Sequence, residues 1–193
     1  PKNLRPLSSF DDNLEEERVM ADIAPRIGEE AFEVVSRCFG FEDTDMGRGL
    51  TSELVRDGDG RISRTLKQTI WDEGYDDALQ AAVAQFGARW SELRIPSRDL
   101  LVHNLLVQRD AGGRILRLVA IDGLGSASAI PEQWLSRGMQ RQRAARKVDN
   151  LHERIQTLLA ARARGEFPGT HGLLMHDGLP APDTQAADRK EPS

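Results

Sequence analysis

A chain of 193 residues, 39% hydrophobic and 30% charged, has room for one domain or for two small lobes sharing a cleft. The net charge of −5 disfavours a general nucleic-acid binder, and the single cysteine, Cys38, excludes an internal disulfide. No apolar run approaches the roughly 18–20 residues of a membrane span, and the first residues carry no apolar signal region, so the expected compartment is the cytoplasm of a bacterium.

In chain order, Asp11 or Asp12 can cap a helix with Glu15 as the capping-box acid, Val19, Met20 and Ile23 as its apolar stripe, and Pro25 as its expected end. Phe32–Glu42 and Leu50–Arg56 read as an antiparallel pair joined by the turn-rich stretch from Asp43 to Gly49. Cys38, within the first of these strands, is expected to be a buried thiol. The run Asp57-Gly-Asp-Gly60 suits a hinge between lobes. A calcium loop is rejected there, because its first acid and its closing glutamate are both missing. Ser63 is the expected cap of a short helix ending at Trp71. A longer helix, Tyr75 to about Leu93, places Leu79, Ala82, Val83, Phe86, Trp90 and Leu93 on one face.

The chemistry gathers after that helix. Asp99 and Asn104 stand five residues apart in SRDLLVHNLLV, as the base and the metal-binding Asn do in the protein-kinase catalytic loop. An apolar strand (Leu105–Gln108), a turn (Asp110-Ala-Gly-Gly-Arg114) and a second strand (Ile115–Ile121) then deliver Asp122 before Gly123, where kinases carry Asp-Phe-Gly. Phosphoryl transfer needs positioning and charge neutralisation more than covalent help. Magnesium takes hard oxygen ligands, so Asn104 and Asp122 are its candidate ligands and the phosphates of ATP would complete the shell. Asp99 is the candidate base for the acceptor hydroxyl. By position alone, Glu53, Leu54 and Val55 are candidate contacts for the nucleotide base at the hinge.

Pro131 opens the expected last long helix, where Val148, Leu151, Ile155 and Leu158 fall at spacings of three and four. That stripe can pack on the same lobe or on another copy of the chain. Between Arg137 and Arg164 eight Lys/Arg face only Asp149 and Glu153. This reads as a solvated helical face, or as a contact for an anionic partner such as nucleic acid or a phosphorylated protein. From about residue 165 the Gly/Pro/polar composition predicts a disordered tail, and His171 and His176 within it do not make a metal site.

The chain resembles the YrbL family of PhoP-regulatory-network proteins, which are small kinase-like proteins of bacteria. The resemblance runs from about Leu7 to Leu159 and is densest in SRCFGFEDTDMGRGLTSELVRDGDGRIS, SRDLLVHNLL and AIDGLGSASAIPEQWL. It implies an α+β, protein-kinase-like fold. Residues 1–56 would form a partial N-lobe of one helix and an antiparallel hairpin, and residues 57–62 the hinge. Residues 63–164 would form a mainly helical C-lobe with the catalytic-loop hairpin and the C-terminal helix, with a tail from 165 to 193. Two residues depart from the kinase pattern. Ser97 replaces the histidine that buttresses the loop, so the loop must be braced differently, and Asp-Gly-Leu-Gly replaces Asp-Phe-Gly.

A kinase also uses a Gly-rich loop and a strand lysine over the phosphates. Neither stands in this sequence, and Lys2 is the only lysine near the right place. The expectation is that the first strands of the lobe are absent from the chain as given. About ten residues separate Asp122 from the Pro131 helix, which argues against a large peptide substrate. Three functions follow. One is a phosphotransferase, or a relic of one, using Mg-ATP on an unknown acceptor. Another is a catalytically silent regulatory binding protein. The third, a nucleic-acid accessory module, is the least favoured.

Overall fold

The computed structural model describes residues 12–45, 47–125 and 134–173. They form a mixed α+β fold: a two-stranded hairpin, a separate three-stranded antiparallel sheet, and four helices around one main core. Helix α1 (Asp12–Ile27) buries Met20 and Ile23, as its stripe predicts. It runs two residues past Pro25, because a proline in the last turn deprives only one carbonyl of its donor.

The expected strand from Phe32 to Glu42 is two structures rather than one. Glu29–Glu33 is a short 3-10 turn, and β1 begins only at Cys38 (Cys38–Thr44). Between them Val34, Val35 and Ser36 are all buried and run beside Ala120, with Ser36 N–H donating to the Ala120 carbonyl at 2.9 Å and Ala120 N–H to that of Val34 at 2.8 Å. The apolar residues of this stretch thus serve a long-range parallel contact and not a hairpin face. Strand β2 (Gly47–Ser52) pairs with β1 from Thr44–Gly47 to Cys38–Ser52, which makes the connection shorter than the expected stretch 43–49. Neither strand buries a residue, and Cys38 is only half-buried, in correction of the buried thiol expected there.

Strand β3 (Arg64–Thr65) leads into helix α2 (Leu66–Asp72). The cap of α2 is Thr65, whose hydroxyl accepts from Gln68 N–H, whereas Ser63 donates to the Asp57 carboxylate at 2.6 Å. Helix α3 (Asp77–Leu93) is capped by the Asp76 carboxylate and buries Leu79, Val83, Phe86, Trp90 and Leu93; Ala82 is partly buried against them. Strands β4 (Leu105–Arg109) and β5 (Ile115–Ala120) form the expected hairpin, whose turn is tied by Asp110 accepting from Gly112 and Arg114 N–H.

Helix α4 (Arg137–Ala163) starts at Ser136, whose hydroxyl caps it; Pro131 lies outside the described residues. Its stripe of Val148, Leu151, Ile155 and Leu158 is buried within this chain, against α3 and α2. The α3–α4 crossing is close, since a Cβ on Gly87 would come within 2.6 Å of Val148 Cγ1. Leu151 is fully buried at this junction. Leu151→Ala is expected to cost about 2–5 kcal/mol, read as a lower denaturant midpoint at unchanged slope. No described helix is long and apolar enough to cross a membrane.

Candidate functional site

The loop from Arg94 to Asn104 leaves α3 through a left-handed Arg94 (φ 56°) and is anchored by the buried side chains of Ile95 and Leu100. The segment after β5 is anchored in the same core by Leu124. Backbone hydrogen bonds lace the two together. Ile121 N–H donates to the Asn104 carbonyl at 3.0 Å, Arg98 N–H to that of Gly123 at 2.9 Å, and Gly125 N–H to that of Pro96 at 3.2 Å. Ser97 and Leu124 pair across the same crossing. Gly123 sits at φ 84°, and a Cβ there would lie 2.5 Å from the Asp99 carbonyl oxygen and 3.8 Å from Asn104 Nδ2. The segments that carry Asp99, Asn104 and Asp122 therefore meet at one edge of the β4–β5 hairpin.

Each of the three side chains has a distinct setting. Asp99 is partly buried; one oxygen accepts from Leu100 N–H at 3.1 Å and the other pairs with Arg154 of α4 at 2.5 Å. Asp122 is exposed, and its Oδ1 accepts from Gly123 N–H. Asn104 is half-buried, with its backbone engaged at both ends. His103, one residue before Asn104, is held below the usual histidine range by burial first, then by the nearby His171 and Lys67, while the Asp122 carboxylate acts in the opposite sense.

One exposed carboxylate and one amide make a sparse, hard-oxygen donor set. That suits magnesium, which keeps several waters and takes the rest of its shell from phosphates. Among the described residues, no three His, Cys, Asp or Glu side chains gather to make a closed metal cage. In the Asp57–Gly60 turn, Asp57 Oδ1 accepts from the Ser63 hydroxyl and from Arg109 N–H.

The three residues chosen by position near the hinge differ in setting. The Glu53 carboxylate accepts from Arg37 N–H at 3.1 Å and pairs with Arg117 at 3.5 Å. Leu54 is exposed, and Val55 is buried with Leu106 and Val119 in a small cluster apart from the main core. The Val55 carbonyl is taken by Ser63 N–H at 3.0 Å. A cleft of about 440 Å³ lies elsewhere, among Phe32, Val34, Phe86, Arg89 and Leu118, and none of the six sequence-derived site residues lines it. Its rim is a closed set of ion pairs. Arg89 bonds to Glu30, Glu33 and Glu92, and Arg37 to Glu29, so the carboxyls of Glu33 and Glu29 lie below their ordinary range through their arginine hydrogen bonds.

A family model described as PhoP regulatory network protein YrbL matches residues 11–156. The chain belongs to that family. The YrbL match takes in both segments of the crossing and most of α4, including Lys147 and Arg154. No curated protein and no solved structure matches the chain.

In this YrbL-family chain the brace of the loop comes from α4. Lys147 donates to the Arg98 carbonyl, and Arg154 reaches both the Asp99 carboxylate and the Leu100 carbonyl. Ser97 has a buried hydroxyl with no partner among the described residues. With Arg162 on the Trp71 carbonyl and Arg164 on Glu166, at least half of the eight basic residues between Arg137 and Arg164 are used within the fold, so the stretch is not simply a solvated face. Lys147 and Arg154 were within reach of the sequence, since a spacing of seven is two helical turns and puts both on one face. Lys67 gave no such signal. It is buried, and its ammonium donates to the carbonyls of Pro168, Gly169 and His171. The first residues of the stretch expected to be a disordered tail lie against the fold, with Thr65 Oγ1 donating to the Gly172 carbonyl and Phe167 edge-on to Trp71.

Proposed function

We propose that this protein is a kinase-like phosphotransferase acting within the PhoP regulatory network, with Mg-ATP as phosphoryl donor. The observation that supports it is the crossing itself, since two segments distant in sequence are laced by backbone hydrogen bonds so that Asp99, Asn104 and Asp122 come to one edge. Asn104 and Asp122 would hold the metal, which when bound neutralises charge on the phosphate oxygens. Asp99 orients the acceptor hydroxyl and takes its proton at a carboxylate oxygen, which requires that oxygen to leave Arg154. Lys147 and Arg154 hold the loop carbonyls of Arg98 and Leu100, so the loop backbone keeps its place while the Asp99 side chain turns.

A second reading rests on the same ion pair. With one Asp99 oxygen on Arg154 and the other on Leu100 N–H, the crossing also suits a catalytically silent regulatory protein that keeps the nucleotide site. Thermal shift with ATP, with and without magnesium, tests the shared part. The expected result is a magnesium-dependent rise in melting temperature that Asp122→Asn removes, because a ligand of the native state raises apparent stability and the substitution deletes a formal charge at a dication site. No shift in the full-length protein at millimolar Mg-ATP would sink both forms of the nucleotide reading, whereas residues 1–193 alone, with neither Gly-rich loop nor strand lysine, are expected not to hold ATP measurably. Transfer of labelled phosphate separates the phosphotransferase from the silent protein.

A further inference from the structure

Lys67 is the least explained charge in the fold. The residue is 5% exposed, and the hydrogen bonds of its ammonium among the described residues go to backbone carbonyls and to no carboxylate. Buried charges are ordinarily paired, because removing an ion from water without a counter-charge is costly. Here the three ammonium donors are met instead by three backbone carbonyl oxygens of one short segment, from Pro168 at 3.3 Å, Gly169 at 2.9 Å and His171 at 2.7 Å. A fourth carbonyl, that of Gly172, accepts from Thr65 Oγ1 at 2.6 Å. Consistent with a cation lacking a counter-charge, burial lowers the pKa of Lys67 from the usual lysine range.

The segment that supplies these oxygens is built as a strap. It enters through Phe167, half-exposed and edge-on to Trp71 with ring centroids 5.5 Å apart. It ends with His171 against the ring of His103 at 4.4 Å and Gly172 packed on the His103 Cβ. His103 directly precedes Asn104, so the strap lies beside the crossing. Its residues fall beyond those matched by the family model. The four polar contacts described between the strap and Lys67 or Thr65 are of one kind, carbonyl oxygen to donor, and one oxyanion could replace several of them at once.

We propose that Lys67 and Thr65 form an oxyanion-binding site that this chain occupies in cis with the carbonyls of residues 168–172, and that displacement of the strap opens it to a phosphate group. Three oxygens around one ammonium, with a hydroxyl donor alongside, match the acceptor pattern of a phosphate. A real anion supplies the counter-charge that carbonyl dipoles lack. The site is separate from the proposed magnesium ligands and does not depend on them. Its phosphate can come from free phosphate or from a nucleotide held at the crossing.

The test uses the full chain and two strap variants. Gly172 is at φ 73°, and a Cβ there would lie 2.3 Å from His103 Cβ, so Gly172→Ala should lift the strap without touching the core. Phe167→Ala removes an exposed contact and serves as an independent second release. Cleavage within residues 165–173 by a broad-specificity protease should speed up at least about tenfold in both. Inorganic phosphate, titrated without magnesium in an Asp122→Asn background, should then bind at least about tenfold more tightly than in the same background with the strap intact. Adding Lys67→Met should abolish that gain. With Asp122 intact and magnesium present, a Lys67-dependent gain in ATP affinity on strap release would assign the group to a nucleotide, and a gain for inorganic phosphate alone would assign free phosphate. An unchanged cleavage rate within residues 165–173 in both variants would overturn a displaceable strap. A released strap with no Lys67-dependent phosphate binding would overturn the site. Neither result bears on magnesium-dependent nucleotide binding, which is read separately in the parent chain.

Discussion

Gly123→Ala should lower the melting temperature by about 5–15 °C. Two costs act together. Gly123 is left-handed at φ 84°, where an L side chain costs about 1–2 kcal/mol. The added Cβ would also lie 2.5 Å from the Asp99 carbonyl oxygen. That neighbour is backbone held within the crossing, so it cannot yield as a flexible side chain does, and overpacking of this kind costs about 1–3 kcal/mol more. Gly113→Ala is the matched control. Gly113 has the same φ of 84° in the hairpin turn, but a Cβ there meets nothing within 4 Å. Its loss therefore reports conformation alone, and the excess for Gly123 reports the contact between the two segments. Equal losses would show that the crossing is not tight at this point.

The parts of the fold that were legible in sequence are those set by local periodicity. The α3 face from Leu79 to Leu93 and the α4 stripe from Val148 to Leu158 are long and regular, and both are buried as predicted, Ala82 partly so. The β4–β5 hairpin was legible because Asp110-Ala-Gly-Gly-Arg114 is turn chemistry between two apolar runs. What escaped was long-range. Val34–Ser36 reads as the start of a hairpin strand, yet its backbone pairs with Ala120, some 85 residues on. Thr65 outcompeted Ser63 as a cap because Ser63 found Asp57, a partner that spacing does not reveal. The strap could not be foreseen, since Lys67 recognises backbone carbonyls, which every sequence contains. At the site, the order Asp, Asn, strand, turn, strand, Asp-Gly pointed to the two segments that meet. The arginine standing on Asp99 lay unremarked within a stretch read for its overall charge.

That arginine decides how the two functional readings part. The Arg154–Asp99 pair is about one-third exposed on both sides, at 34% and 35%, so solvent screens it and its contribution to stability is about 0–1 kcal/mol. A contact of that size can give way to a bound hydroxyl at little cost. Arg154→Met, which keeps the length of the stem but also gives up the Leu100 carbonyl bond, should therefore lower stability by no more than about 2 kcal/mol and leave magnesium-dependent nucleotide binding intact. Asp99→Asn keeps the shape of the loop and its Leu100 contact but removes the proton acceptor. In the phosphotransferase reading it should lower transfer about 10²–10⁴-fold while sparing nucleotide binding, because the proposed role of Asp99 begins only when the hydroxyl attacks. The silent reading expects no transfer in the parent protein, and both substitutions should then leave binding as it was. Measuring labelled-phosphate transfer and the magnesium-dependent thermal shift on the same three proteins distinguishes these outcomes. Turnover that survives Asp99→Asn would remove Asp99 as the base, and a loss of nucleotide binding in that variant would move its role from the acceptor to the metal.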